Sequence, residues 1–463
     1  MRDIIICLVL VGLMPSCFKR PFVGLCVFSW LAYMRVQDLS WGFAKEQRWS
    51  FAVAALMYSG WLFSKDRKAF FQKDDIRNWA MILMVALLGI GVLMSVNATS
   101  YAAGVQRGRY IEFGKIVLVA LFTTGLVRDR ERLRIMVWII GLSLGFYGVK
   151  SGIGGIFSGG APILIGPGGM LADNNDLAMA LAMGVPILFI LGWTERREEL
   201  RKAFWFCLPL TILAVGLTQS RGGFLSVSAA IGVLIWRSRN RFMGIGIGVL
   251  LGMIALLLAP KEYTDRLSTI SAPTEEGSAA SRLRAWGIAT NMALDNPWFG
   301  VGFGKFPQHY LEYCDDPSPG EKAGTAIIVA HSSYFQVWAE AGSLCLGIYG
   351  FLILSSLWTC WRIRKEARQR YFSSWIINYA TMFEATMMAF VVGAAFLNRA
   401  HFDLFYHWVA LIVVFSKLAR EEMRDEHKYP TRGIGTREPV RYLVPGGFGP
   451  RTRASGFRRV ATS

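Results

Sequence analysis

Long apolar runs recur along almost the whole chain, and each stops at a short cluster of charge. Runs of roughly 17–22 apolar residues are the length at which a helix crosses about 30 Å of hydrocarbon. Inside a bilayer every backbone polar group must be satisfied within the protein, so such runs fold as helices or close into a barrel. The runs show no alternation by two, which removes the barrel. The sequence therefore predicts an all-α, polytopic membrane protein. Spans are expected at 77–97, 110–127, 135–150, 176–193, 203–219, 223–236, 242–259, 336–361, 375–397 and 402–418.

The first 64 residues carry three further runs, 3–17, 21–34 and 49–63. Two crossings there give about 12 transmembrane helices with the N-terminus inside; three give 13 with it outside. Twelve is preferred, because 3–17 is short for a crossing and Pro21 suits a break within one hairpin or bent helix. The opening MRDIIICLVLVGLMPSC has the charge and short apolar core of a signal peptide. It lacks a small-x-small cleavage site and reads as a retained first helix.

A net charge of +18 would raise nucleic acid as a partner if the chain were soluble. Its placement argues for membrane topology instead. The clusters at 65–77, 128–134, 195–202, 237–241 and 362–370 fall between apolar runs, as cytoplasmic loops do. The tail from Lys417 carries eleven Lys and Arg against five Asp and Glu, a composition suited to anionic membrane lipids. No nucleic-acid partner is expected.

This arrangement divides the chain into helices at 1–259, a long polar loop at 260–333, helices at 334–418 and a basic, disordered cytoplasmic tail at 419–463. Parity places the loop outside, with 98–109, 151–175 and the tight turn at 219–223. The segment 151–175 is Gly- and Pro-rich and is expected as a mobile flap or a re-entrant segment. Only Cys314 of seven cysteines sits in the loop, so no disulfide forms within it, and no Cys/His spacing suggests a metal.

Candidate chemistry gathers on the outer face. Arg221, in TQSRGGFLS, stands in a turn where positive-inside statistics disfavour arginine. It is read as an anion-binding group, with snorkelling to the headgroups as the plainer alternative. Arg282 and Trp286 lie four apart in SRLRAW and share a helix face, whereas Arg284 points elsewhere as a surface charge. Arg266 is a weaker third arginine. His331 stands where the loop returns to apolar sequence, just before SSYFQVWAEAG, and Tyr334 follows it. A lone His there is often a cap, but neighbouring guanidiniums would lower its pKa and keep it available as a base.

Asp176 and Asn175, at the mouth of a span, suit holding a sugar or orienting an arginine. Glu340 and Glu384 are expected as structural partners of arginine or backbone, since an unpaired carboxylate in a span is costly. Asp315 and Asp316 read as solvated turn residues. The GVGFG at 300–304 has no preceding strand and is a turn packed against something, not a nucleotide fingerprint. No metal and no cofactor is expected.

The outer SRGG turn, the SRLRAW…DNPWFGVGFGKF block and HSSYFQVWAEAG together resemble the O-antigen ligase/polymerase superfamily. The opening thirty residues and DNNDLAMALAMGVP are most similar to its exosortase-associated O-glycosylation ligase-like subgroup. The resemblance implies a GT-C-like glycosyltransferase of the bacterial inner membrane with its active site on the periplasmic face. It implies a glycan donor on undecaprenyl diphosphate, an acceptor such as lipid A–core, and inverting, metal-independent chemistry. The family's essential histidine falls on His331 and its arginines on Arg221 and Arg282, with Arg266 less securely placed. Ser332 stands where many members have Asn. An O-antigen polymerase or protein O-oligosaccharyltransferase would use the same set, so the acceptor stays open; a transporter would have no need of this loop.

Overall fold

The computed structural model describes residues 2–40, 42–64, 69–94, 100–238, 241–242, 244–246, 277–323, 328–371 and 373–424. Most of the expected span 242–259, with Arg266 and the tail beyond 424, lies outside the described residues. Helices run α1 (Arg2–Lys19), α2 (Pro21–Tyr33), α3 (Phe43–Glu46), α4 (Trp49–Leu62), α5 (Ile76–Met94), α6 (Ser100–Leu126) and α7 (Arg130–Phe157). They continue as α8 (Asn174–Thr194), α9 (Glu198–Leu217), α10 (Arg221–Arg237), α11 (Gly277–Asp295), α12 (Phe306–His309), α13 (Pro319–Lys322), α14 (Ser333–Glu366), α15 (Ser374–Ala394) and α16 (Asp403–Arg424).

Among the described residues, six helices have the length and composition to cross a membrane: α5, α7, α8, α9, α14 and α15. Apolar side chains such as Leu8, Phe51, Leu93, Leu354 and Trp358 stand exposed on helix surfaces. A water-soluble fold would not leave so many uncovered; lipid covers them. At the N-terminus the chain breaks at Arg20, where Pro21 opens α2 as its first residue. α1 and α2 are thus two helices, and both pack on the short apolar α4.

α8 and α15 form the buried centre. The Ala- and Gly-rich start of α8 lets backbones approach closely, as packing within a membrane favours. At Gly223 of α10 an added Cβ would stand 2.4 Å from the Ala178 Cβ, so only glycine permits this contact. At Glu384 the buried charge is paired, which offsets the cost of burying it. Glu384 of α15 receives Arg364 of α14 and the Nε of Arg237 at 3.1 Å, the structural role expected for it. His407 of α16 sits 2.6 Å from the Tyr33 hydroxyl and 3.1 Å from Thr123 Oγ1, tying α2, α6 and α16 together.

Two local features depart from the expected all-α chain. The segment 151–175 is not re-entrant: α7 continues to Phe157, and β1 (Ile165–Gly168) then pairs antiparallel with β2 (Leu171–Asp173). Gly168 and Gly169, both with positive φ, supply the turn, and Asp173 caps the start of α8. The long helix α14 is broken at Gly342, whose φ of 77° and ψ of 179° lie outside helical geometry. The backbone at 297–302 fills the break: the Val301 amide donates to the Ala339 carbonyl at 2.8 Å and Gly302 to Glu340 at 3.2 Å. That is the close packing expected of GVGFG.

Candidate functional site

The starts of α8 and α10 lie side by side and are fastened by side chains. Ser220 caps α10 by accepting from the Gly223 amide at 3.1 Å, and its hydroxyl donates to Asn175 Oδ1 at 2.7 Å. The Asn174 amide group donates to the Thr218 carbonyl at 2.9 Å. Asn175 is thereby committed to holding the turn that precedes Arg221, the first residue of α10. Two helix N-termini, each with a positive dipole end, come together with a guanidinium at this face.

The described part of the loop has its own small core. Ala285, Ile288, Ala289 and Met292 of α11 pack with Phe306, Tyr310, Cys314 and Ala330. One turn of α11 places Arg282 and Trp286 together, as the spacing predicts. Trp286 stacks on Phe335 of α14, ring centroids 5.2 Å apart. The Arg282 Nε and Trp286 Nε1 are buried and meet no acceptor among the described residues. Buried donors without partners are uncommon, and here two belong to side chains one helical turn apart.

Arg282 is close enough to feel the charge of Arg221, and His331 close enough to feel that of Arg282. Burial lowers the Arg282 pKa, and the Arg221 charge lowers it further. Burial also holds the His331 imidazole below its ordinary 6.5, with the Arg282 charge as the second cause. A neutral imidazole beside guanidiniums is a proton acceptor next to groups that bind anions. His331 itself has a φ of 51°, a left-handed conformation unusual for a non-glycine residue. Such geometry persists only where the surroundings hold it, and it turns the chain into α14.

Other expected site residues fall elsewhere. Tyr334 donates its hydroxyl to the Val391 carbonyl at 2.8 Å and meets Tyr349 edge-on, so it packs α14 against α15. Asp176 is buried and holds Arg399, the second of the two roles open to it. Arg284 pairs with Glu321 at 3.2 Å on the loop surface. The Ser318 amide, then the Tyr310 and Ser318 hydroxyls and Arg284, push the Glu321 carboxyl down to about 2. Glu340 accepts from the Phe306 amide at 3.3 Å and from Gln336 at 3.3 Å, a backbone-and-amide partnership. Asp315 and Asp316 are exposed, and no three His, Cys, Asp or Glu side chains gather as a metal-ligating group among the described residues.

Arg399 is the residue that sequence reasoning missed. It lies on the predicted outer face, so the positive-inside argument that singled out Arg221 applies to it equally.

The fold and this face define a polytopic helical membrane protein with a cationic site and an imidazole where a loop meets the bundle. Residues 206–354 match the model of the family described as O-antigen ligase, a stretch that includes Arg221, Arg282 and His331. Over that stretch, less than half of the chain, the protein is similar to the O-antigen ligase family, and the likeness points to a membrane glycosyltransferase-like enzyme. Residues 1–219 match a family of unknown function. No curated protein matches the chain.

Proposed function

We propose that this protein transfers a glycan from undecaprenyl diphosphate to an acceptor sugar at the periplasmic face of the inner membrane. The carrying observation is the charge-coupled grouping of Arg221, Arg282 and His331 within the stretch that matches the O-antigen ligase family. A glycosyl diphosphate departs readily only when its developing negative charge is stabilised. Arg221 and Arg282 supply that charge, and their planar forks suit phosphate oxygens. Arg282 is half-buried, which strengthens its part because less water screens it, whereas Arg221 stands exposed at the head of α10. His331 takes the proton from the attacking hydroxyl, so the displacement inverts the anomeric carbon in one step. In this reading the guanidiniums stand where a metal ion serves other transferases.

We take lipid A–core as the acceptor and read the chain as similar to the exosortase-associated O-glycosylation ligase-like subgroup. The same residues would serve a polymerase or a protein O-oligosaccharyltransferase, which differ only in the acceptor. A deletion strain separates them. Lost lipopolysaccharide ladders with accumulated lipid-linked polymer support the ligase, whereas single-repeat products identify a polymerase. Unchanged lipopolysaccharide with an underglycosylated secreted protein identifies the protein transferase.

A further inference from the structure

Arg399 lies in the turn between α15 and α16, and three of the turn's contacts converge on the site. Its guanidinium makes a two-pronged ion pair with Asp176 in the first turn of α8, Nε standing 2.5 Å from Oδ1. Its backbone amide donates to Ser333 Oγ at 3.0 Å, and that hydroxyl donates to the Leu397 carbonyl at 2.7 Å. The next amide, of Ala400, donates to Gln336 Oε1 at 3.3 Å. The turn is thus sewn to the first turn of α14, immediately after His331. Its other side faces α10, where a Cβ added at Gly222 would stand 3.2 Å from the Phe396 Cβ.

One turn therefore touches the starts of α8, α10 and α14, which carry Asp176, Arg221 and His331. Arg399 lies beyond the stretch that matches the O-antigen ligase family, and Asp176 lies in the stretch that matches a family of unknown function. Charge decides what the ion pair does. Asp176 takes Nε and Nη2 of the fork and cancels the cation, so the pair is a poor anion clamp. Its carboxylate is buried, and removing either partner would leave a charge uncompensated. His331, two residues before Ser333, needs surroundings that hold its left-handed backbone.

We propose that Arg399, held by Asp176, is a positioning residue that sets His331 at the head of α14 relative to Arg221 at the head of α10. Its effect on turnover rests on the transferase reading; its effect on His331 does not. A misplacement of about 1 Å can cost a reaction about 100-fold, so a conservative change suffices to expose the role.

The test uses the full-length protein in nanodiscs with nitrogen-labelled histidine. The His331 resonance is assigned by its loss in His331→Ala. Arg399→Lys and Asp176→Asn are expected to shift that resonance while leaving His309, which pairs with Glu312 in the loop, unmoved. Turnover by Arg399→Lys should fall roughly 10–100-fold with the donor KM within about threefold of wild type. In a His331→Ala background the same change should cost nothing further, because it acts through the missing imidazole. An unmoved His331 resonance, or losses that simply add, overturns the proposal. If either single variant unfolds, the exchanged pair Asp176→Arg with Arg399→Asp must restore the wild-type His331 resonance, and failure to do so counts against it. A wild type that transfers no glycan while the resonance still responds to Arg399→Lys refutes the transferase reading alone.

Discussion

Trp286 lies nearly flat on Phe335, with the ring planes inclined by 12°. The stack is where α11 meets α14, and it holds Arg282, one turn earlier, in the neighbourhood of His331. Stacked aromatic pairs contribute about 0.5–1.5 kcal/mol beyond the area they bury. Trp286→Ala should lower turnover roughly tenfold by loosening Arg282, an effect of about 1.4 kcal/mol on the barrier. Trp286→Phe should keep most of the rate. Full activity in the alanine variant would show that the stack has no part in placing Arg282.

The pH dependence follows from His331. Its pKa in the folded protein lies below 6.5, through burial first and the Arg282 charge second. In the proposed mechanism the neutral imidazole is the base, so the acid limb of kcat/KM, which reports the free enzyme, should lie below pH 6.5. Arg282→Gln removes the like charge and should move that limb upward, toward 6.5, while the rate itself falls. Stability has the same sign: between the folded and unfolded pKa values the unfolded chain binds more protons. The contribution from His331 is therefore complete above pH 6.5 and is lost as pH falls through the folded value. Rate profiles of the two proteins decide it, and an acid limb that ignores Arg282 would uncouple the pair.

Arg221 should behave as a clamp. Arg221→Ala is expected to weaken donor binding and turnover together, because a diphosphate is charged before the reaction and more so as it leaves. Arg221→Lys should recover only part of this, since an ammonium keeps the charge and loses the fork. His331→Ala, by contrast, should cut turnover roughly 10²–10⁴-fold with donor binding near normal. Donor affinity and turnover measured on each purified variant make the comparison. Normal turnover by His331→Ala would leave leaving-group stabilisation as the main catalytic device.

Topology supplies an independent check. Alkaline phosphatase fused after Ser318 should be active, and fused after Arg424 inactive. The reverse would put Arg221 and His331 in the cytoplasm and end the assignment to a periplasmic glycan transfer.

Much of this was legible in the sequence because membrane spans announce themselves by length, and because an arginine on the outer face breaks a statistical rule. Arg221, Arg282 and His331 stood out for such reasons. Tyr334 was chosen for its closeness in sequence to His331, yet a helix turns successive side chains by about 100°, and its ring goes to α15. Arg399 carried the same outer-face signal as Arg221, but its pairing was not legible, since Asp176 is 223 positions away. The hairpin at 165–173 was obscured because two strands this short have no periodicity to read. The break at Gly342 was equally silent, as glycine in a long apolar run is common in membrane helices.

That break has a mechanical consequence. In an uninterrupted helix the carbonyls of Ala339 and Glu340 would accept from amides one turn further on. Here the amides of Val301 and Gly302 take their place, and Ser343 donates instead to the Pro297 carbonyl at 2.8 Å. The loop is therefore spliced into the hydrogen-bond ladder of α14, and the short upper piece Ser333–Ala341 belongs to the loop as much as to the bundle. The same piece is held from its other side, Ser333 donating to the Leu397 carbonyl and Tyr334 to the Val391 carbonyl, so His331 and the Trp286 stack are fixed to loop and bundle alike. A Cβ at Gly342 would meet the Trp298 carbonyl at 2.4 Å, so Gly342→Ala would wedge the splice open.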